Sequence, residues 1–172
     1  MTMIAKRLAG LGLAAAIFLL DQYVKYLVIG PMGIYGPDKI KTLLPIFDLR
    51  FTQNFGVSLG LFTAGSPEAR WALVFMTGAI AAFVLVWLLR ERRLPDILAL
   101  ALVLGGACGN IRDRYSYGYV IDYADLHFGE WRPFLIFNLA DAAITIGVLI
   151  ILARSLLVRD KPETAADPAP ES

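Results

Sequence analysis

Four stretches of the chain run nearly without charge for the length of a bilayer crossing. A spanning helix needs about 20 mostly apolar residues, because the hydrocarbon core is about 30 Å thick and each helical residue rises about 1.5 Å. Residues 71–89 (WALVFMTGAIAAFVLVWLL) carry no charge, and residues 134–153 (FLIFNLADAAITIGVLIILA) carry only Asp141. Residues 8–29 contain Asp21 and Lys25 toward their end, and residues 94–111 contain Pro95 and Asp96 at the start and Asn110 at the end. The pattern predicts an α-helical membrane protein with four transmembrane helices. Between the first two spans, Leu49, Phe51, Phe55, Val57, Leu59 and Leu61 alternate with Thr52, Asn54, Gly56, Ser58 and Gly60. A period of two is a strand signal, so a small extracytoplasmic β element is expected over 49–61, with Asn54, Gly56 and Ser58 on one face. The loop before the last span (YSYGYVIDYADLHFGEWRP) is rich in aromatics, as a periplasmic segment lying at the membrane interface should be.

Direction follows from the basic residues, which are retained on the cytoplasmic side near span ends. Lys6, Arg7, Arg90, Arg92, Arg93, Arg154, Arg159 and Lys161 crowd the short segments of one side. Lys39, Lys41, Arg50, Arg70, Arg112, Arg114 and Arg132 are spread through the much longer loops of the other. Both termini are therefore expected in the cytoplasm. The first span follows Lys6 and Arg7 as a secretory signal would, but its apolar run continues through Phe18, Leu19 and Leu20 without a small-residue cleavage site, so a retained helix is expected. Residues 1–159 read as one membrane-embedded unit. Residues 160–172 (DKPETAADPAPES) have no large apolar side chain and read as a disordered cytoplasmic tail.

Composition agrees and removes other classes. Apolar residues make up 58% and charged residues 18% of the chain, against about 45–50% and about 25% in soluble domains. The net charge is +1 and no basic run exceeds two residues, which leaves no footprint for nucleic acid. One cysteine, Cys108, and one histidine, His127, are too few soft ligands for a metal site. Chemistry without metal or cofactor is expected, from carboxylates, hydroxyls or amides.

Ionisable residues within a span cost about 2.5–3.5 kcal/mol at the helix centre on insertion scales, so they mark function or a specific partner. With the directions above, Asp21, Lys25, Asn110, Asp113, Arg114, Asn138 and Asp141 all fall at the outer surface. Residues three or four apart share a helix face. Asp21 and Lys25 have that spacing, as do Asn138 and Asp141, and Asn110 with Asp113 and Arg114 if the third helix persists that far. For Asp21 and Lys25 two readings stand, an ion pair with the lysine snorkelling to the headgroups and a direct role. Two carboxylates in a half-dry pocket share one proton, and such a pair hydrolyses peptide bonds as base and acid. Asp122 and Asp141 are candidates, and spacing alone leaves Asp113 and Asp125 as rivals. A second chemistry comes from Gly56-Val57-Ser58-Leu59-Gly60, which fits G-x-S-x-G, with His127 as base and Asp125 behind it. The helix that such an elbow requires is not predicted there. A third reading, a small carrier with Asp21, Arg114 and Asp141 along a path, lacks polar residues in the cytoplasmic halves of the spans and any internal repeat.

Five stretches then fall in one order: Asp21-Gln22-Tyr23-Val24-Lys25; Asn54-Phe55-Gly56; Gly109-Asn110-Ile111-Arg112-Asp113-Arg114; Val120-Ile121-Asp122; and Phe137-Asn138-Leu139-Ala140-Asp141. Together they resemble the lipoprotein signal peptidase, or signal peptidase II, family of bacterial inner-membrane aspartic proteases, across the whole chain except the tail. The resemblance implies a catalytic pair of Asp122 and Asp141. It implies that Asn54, Gly56, Asn110, Arg114 and Asn138 line the site or bind substrate, with Asp21 and Lys25 in support. It also implies a substrate, a prolipoprotein carrying diacylglycerol on a cysteine and cut on the amino side of that cysteine, and sensitivity to the cyclic peptide globomycin. Membrane lipids are the other expected partner, and the chain is expected to act as a monomer. The departure lies after Gly56, where Val57-Ser58-Leu59-Gly60 replaces the family's usual small residues and aromatic.

Overall fold

The computed structural model describes residues 1–36, 38–56 and 66–157. Four helices, α1 (Met3–Ile29), α2 (Pro67–Arg90), α3 (Leu94–Tyr117) and α4 (Leu139–Leu157), are each long and apolar enough to cross a membrane. Three strands, β1 (Ile40–Leu44), β2 (Phe47–Asn54) and β3 (Val120–Leu126), form one antiparallel sheet in the order β1-β2-β3.

The buried helix is α3, against which the other three pack. Its interior residues Ile97, Leu100, Ala101 and Leu104 form the core with Ala14, Ala81, Val84 and Leu88. Close approach is possible because small residues stand where helices cross. A Cβ on Gly105 would lie 2.5 Å from the Ala14 carbonyl oxygen, one on Gly106 2.5 Å from that of Ala140, and one on Gly147 2.6 Å from that of Ala99. A second apolar cluster, Val28, Ile34, Leu49, Tyr123 and Ala124, fastens the sheet to the C-terminal end of α1.

The element boundaries depart from the expected ones where polar groups intervene. α1 begins at Met3 because the Thr2 hydroxyl accepts from Ala5 N–H at 3.2 Å, an N-cap. α3 does persist past residue 111, through Asp113 and Arg114, and ends at Gly118, whose φ of 87° suits a residue without a Cβ. α4 starts at Leu139 rather than 134, since Phe137 is already bound to β3: its N–H donates to Ala124 O at 3.1 Å and its carbonyl accepts from Ala124 N–H at 2.8 Å. The expected 49–61 strand is also corrected. β2 starts earlier, at Phe47, and stops at Asn54; Gly56 has φ 82°, which breaks the alternation. Ser58 and the rest of the G-x-S-x-G stretch beyond Gly56 lie outside the described residues, as does the tail. In the sheet register Thr52 faces Asp122 and Asn54 faces Val120, after a bulge between Leu49 and Thr52.

The crossings give a prediction. Gly106→Ala drives a methyl into the Ala140 backbone and lowers stability by about 1–3 kcal/mol, whereas Gly78→Ala in α2, with nothing within 4 Å, is neutral or stabilising by up to about 1 kcal/mol. Thermal unfolding of the two variants in the same detergent checks both.

Candidate active site

The site begins as a helix-capping problem. The first N–H groups of a helix have no partner within it, and beneath the headgroups water is not at hand to take them. At the start of α4, Leu139 N–H donates to the Tyr123 hydroxyl at 3.2 Å, Ala140 N–H to Asp21 Oδ1 at 3.0 Å and Asp141 N–H to Asn138 Oδ1 at 2.9 Å. Asn138 N–H donates back to Asp141 Oδ2 at 3.2 Å. This is a reciprocal capping box. Asn138 therefore precedes the helix instead of sharing a face of it with Asp141, as the spacing suggests. The Asp141 carboxylate sits in the first turn, at the positive end of the helix dipole.

The second carboxylate comes from the sheet. Asp122 in β3 is 2% exposed. Its Oδ2 accepts from Asn54 Nδ2 at 2.9 Å and its Oδ1 from Asn138 Nδ2 at 2.6 Å. Asn138 thus binds Asp122 through its side chain and Asp141 through the box, bringing the two aspartates to one site. Burial pushes the Asp122 carboxyl up to about 7, and the negative charge of Asp141 adds to this; donation from Asn54 and Asn138 and the charge of Lys25 work the other way. A group of this kind keeps its proton near neutrality.

The other predicted residues fall around this pair. Asn110 Nδ2 donates to Asp141 Oδ1 at 2.8 Å. Gly56 N–H donates to Asn54 Oδ1 at 2.8 Å and so aims the Asn54 amide nitrogen at Asp122. A Cβ on Gly56 would strike Leu73 at 2.6 Å. Arg114 is half-buried, interacts electrostatically with Asp141, Asp122 and Asp113, and its Nε has no hydrogen-bond partner among the described residues. Asp21 and Lys25 do form an ion pair, at 2.8 Å, but Lys25 is 2% exposed and does not snorkel. Its ammonium turns inward to Asp113 at 2.6 Å and Asn110 Oδ1 at 3.3 Å.

The rival acids have other partners. Asp113 is held by Lys25, by Gln22 Nε2 at 3.0 Å and by Ile121 N–H at 3.3 Å. Asp125 is held by Arg50 and Arg132, each at 3.2 Å. His127 lies 3.2 Å from Asp48 rather than backed by Asp125, which removes the acid proposed behind it in a serine mechanism. Two contributors escape sequence reasoning. Gln22 bridges Asp21 and Asp113 at 3.0 Å each, and Tyr123 caps α4. Gln22 stands inside the first motif but carries no charge to draw notice, and the use of the Tyr123 hydroxyl depends on where α4 begins. Beside Asp141 a cavity of about 310 Å³ is lined by Phe134, Leu135, Phe137, Ala142, Thr145 and Ile146. Among the described residues Asp141 is the only ionisable group lining it, and Leu135 is 91% exposed.

The profile of the peptidase A8 family, signal peptidase (SPase) II, matches residues 13–157. The chain belongs to the signal peptidase II family. The lipoprotein signal peptidase of Rhizorhabdus wittichii is 51% identical over 158 residues, 92% of this chain and 91% of that one. That of Sphingopyxis alaskensis is 50% identical over 152 residues, 88% and 87% of the two chains. In fold, the chain is similar to a bacterial membrane enzyme solved by the in meso method at 1.9 Å, with a TM-score of 0.74 and 25% identity, covering 88% of this chain and 94% of that one. As a member of the signal peptidase II family it is a multi-pass membrane peptidase of the aspartic type that removes signal peptides from prolipoproteins.

For this signal peptidase the raised Asp122 value has a thermodynamic sign. The folded protein holds the proton more tightly than the unfolded chain, so the stabilisation is complete below the ordinary carboxylate range and is lost as pH rises through about 7. The melting temperature in detergent is expected to fall by roughly 5–10 °C between about pH 5 and about pH 8. The fall should be absent in Asp122→Asn, and thermal unfolding against pH measures it.

Proposed function

We propose that Asp122 and Asp141 are the catalytic pair, and that they hydrolyse the peptide bond on the amino side of a diacylglyceryl-modified cysteine at the periplasmic face of the bacterial inner membrane. The observation that carries this is Asn138, which binds both carboxylates at once. The raised Asp122 value supports the division of labour, because the pair then holds one proton near neutral pH.

In this mechanism Asp141 takes a proton from a water as the water oxygen attacks the scissile carbonyl carbon, and Asp122 donates its proton to the developing oxyanion. As the tetrahedral carbon collapses, Asp122 takes back a proton from one of that carbon's two hydroxyls, the C–N bond breaks and Asp141 passes its proton to the leaving nitrogen. The products are a signal peptide ending in a carboxylate and a lipidated cysteine with a free amine. Asn54, Asn110 and Asn138 orient the carboxylates. The unpaired Arg114 donor serves the substrate backbone, since a buried donor without a partner needs an acceptor from outside. The apolar cavity beside Asp141 favours a substrate that arrives sideways from the bilayer, already anchored at the depth of the site. Anchoring of that kind supplies orientation that a freely diffusing peptide must supply for itself.

The bias of basic residues supports both termini in the cytoplasm, and a site assembled wholly from one chain supports action as a monomer. Asp122→Asn and Asp141→Asn are each expected to lower cleavage of a lipidated prolipoprotein by about 10²–10⁴-fold while still unfolding in one cooperative thermal transition. Ser58→Ala should cleave at the parent rate. Measured turnover in reconstituted bilayers decides, and normal turnover by either asparagine variant would remove that aspartate from the pair.

A further inference from the structure

The asparagines that surround the two aspartates have one pattern in common. Asn54 Oδ1 accepts from Gly56 N–H at 2.8 Å, Asn138 Oδ1 from Asp141 N–H at 2.9 Å, and Asn110 Oδ1 from the Lys25 ammonium at 3.3 Å. A backbone N–H and an ammonium can only donate. An amide whose oxygen is taken by such a group has only its NH₂ left for its other neighbour. All three amides therefore turn nitrogen toward a carboxylate: Asn54 and Asn138 toward Asp122 at 2.9 and 2.6 Å, and Asn110 toward Asp141 at 2.8 Å. Two of the donors that enforce this are backbone groups. The third belongs to a side chain.

That side chain has no other freedom. The three N–H bonds of the Lys25 ammonium meet three acceptors, Asp21, Asp113 and Asn110, with no solvent access. Asn138 Nδ2 also reaches Asn110 Oδ1, at 3.3 Å, but its two hydrogens are already divided between Asp122 at 2.6 Å and the Ile121 carbonyl at 3.3 Å. The ammonium is the donor that decides. With Asn110 reversed, a carbonyl oxygen would face Asp141 Oδ1, and two acceptors in contact are relieved only when the carboxyl takes up a proton.

We infer that Lys25 is a positioning residue for Asp141, holding Asn110 in the one orientation that donates to that carboxylate. The inference rests on the Asp122–Asp141 reading and adds a residue that touches neither aspartate. Asp21 and Asp113 make it possible by compensating the charge of the ammonium, each accepting one of its N–H bonds.

The test is a cycle in the full-length enzyme in bilayers, cleaving a lipidated prolipoprotein across pH. Lys25→Met combined with Asp113→Asn keeps the net charge of the cluster. Against the parent enzyme, whose cluster charge it shares, it should lower kcat on the acid side about tenfold, leave KM unchanged and move the acid limb of the pH–rate profile up by about one unit, the worth of a hydrogen bond to a charged group. Asn110→Ala should move the limb equally, and the Lys25 change should add nothing in the Asn110→Ala background. Lys25→Arg, with charge and donors kept, should hold the limb in place. A Lys25 effect that persists without Asn110 would mean that the charge acts through space and would overturn the proposal, as would an unmoved limb in Asn110→Ala, which decides the matter even where the lysine variant fails to fold. Activity surviving in Asp122→Asn or Asp141→Asn would instead sink the catalytic pair itself.

Discussion

A buried ammonium in a membrane-spanning helix has no water to turn to, and the acceptors that Lys25 finds tie together α1, α3, α4 and β3. Asp21 takes one N–H and passes the constraint to α4 by accepting from Ala140 N–H. Asp113 takes another and reaches β3 by accepting from Ile121 N–H, one residue before Asp122. Asn110 takes the third and meets Asp141. Breaking such a pair from one side leaves a buried charge uncompensated, a loss of about 3–5 kcal/mol. The cluster sets the relative placement of a helix end and a strand, together with the direct bonds that Phe137, Asn138 and Leu139 make to β3.

The apolar architecture serves this arrangement. Gly109 on α3 is required by it directly, since a Cβ there would lie 2.6 Å from Asp21 Oδ2. Gly105, Gly106 and Gly147 let α1 and α4 come close enough to α3 for short polar side chains to reach across. The sheet is likewise set by the helix below it. Gly118 ends α3 and turns the chain into β3, whose register against β2 brings Asn54 within 2.9 Å of Asp122. Polar groups that would be expensive singly become tolerable because they satisfy one another; Arg114 Nε, near the aspartates, has no hydrogen-bond partner among the described residues.

Much of this was legible in the residues, and what was not has identifiable causes. The spans follow from uncharged runs, and the Asp21–Lys25 pair from spacing on one helix. That Asp113 joins the pair depends on how α1 packs on α3, which no local pattern carries. That Asp122 meets Asn138 while Asp113 and Asp125 are taken up in ion pairs is of the same kind, because all three lie within one short segment and their partners are set by packing. The start of α4 was misplaced because hydropathy treats Phe134–Phe137 as span, while the Phe137 backbone pairs with β3. The alternation runs past the end of β2 at Asn54 because Gly56 keeps the apolar–polar rhythm although its positive φ is not that of a strand. The Asn138–Asp141 spacing suits either a shared helix face or a capping box, and only the helix start distinguishes the two.

At the centre of the account is a single proton shared by two carboxylates in a framework that satisfies everything else. Infrared difference spectroscopy of the protein in bilayers, taken from mildly acidic to mildly alkaline pH, reads it directly. The account predicts the carbonyl stretch of one protonated carboxyl, lost as pH rises through about 7 and missing from Asp122→Asn. Absence of a protonated-carboxyl band at mildly acidic pH, or a band unchanged in Asp122→Asn, would contradict it.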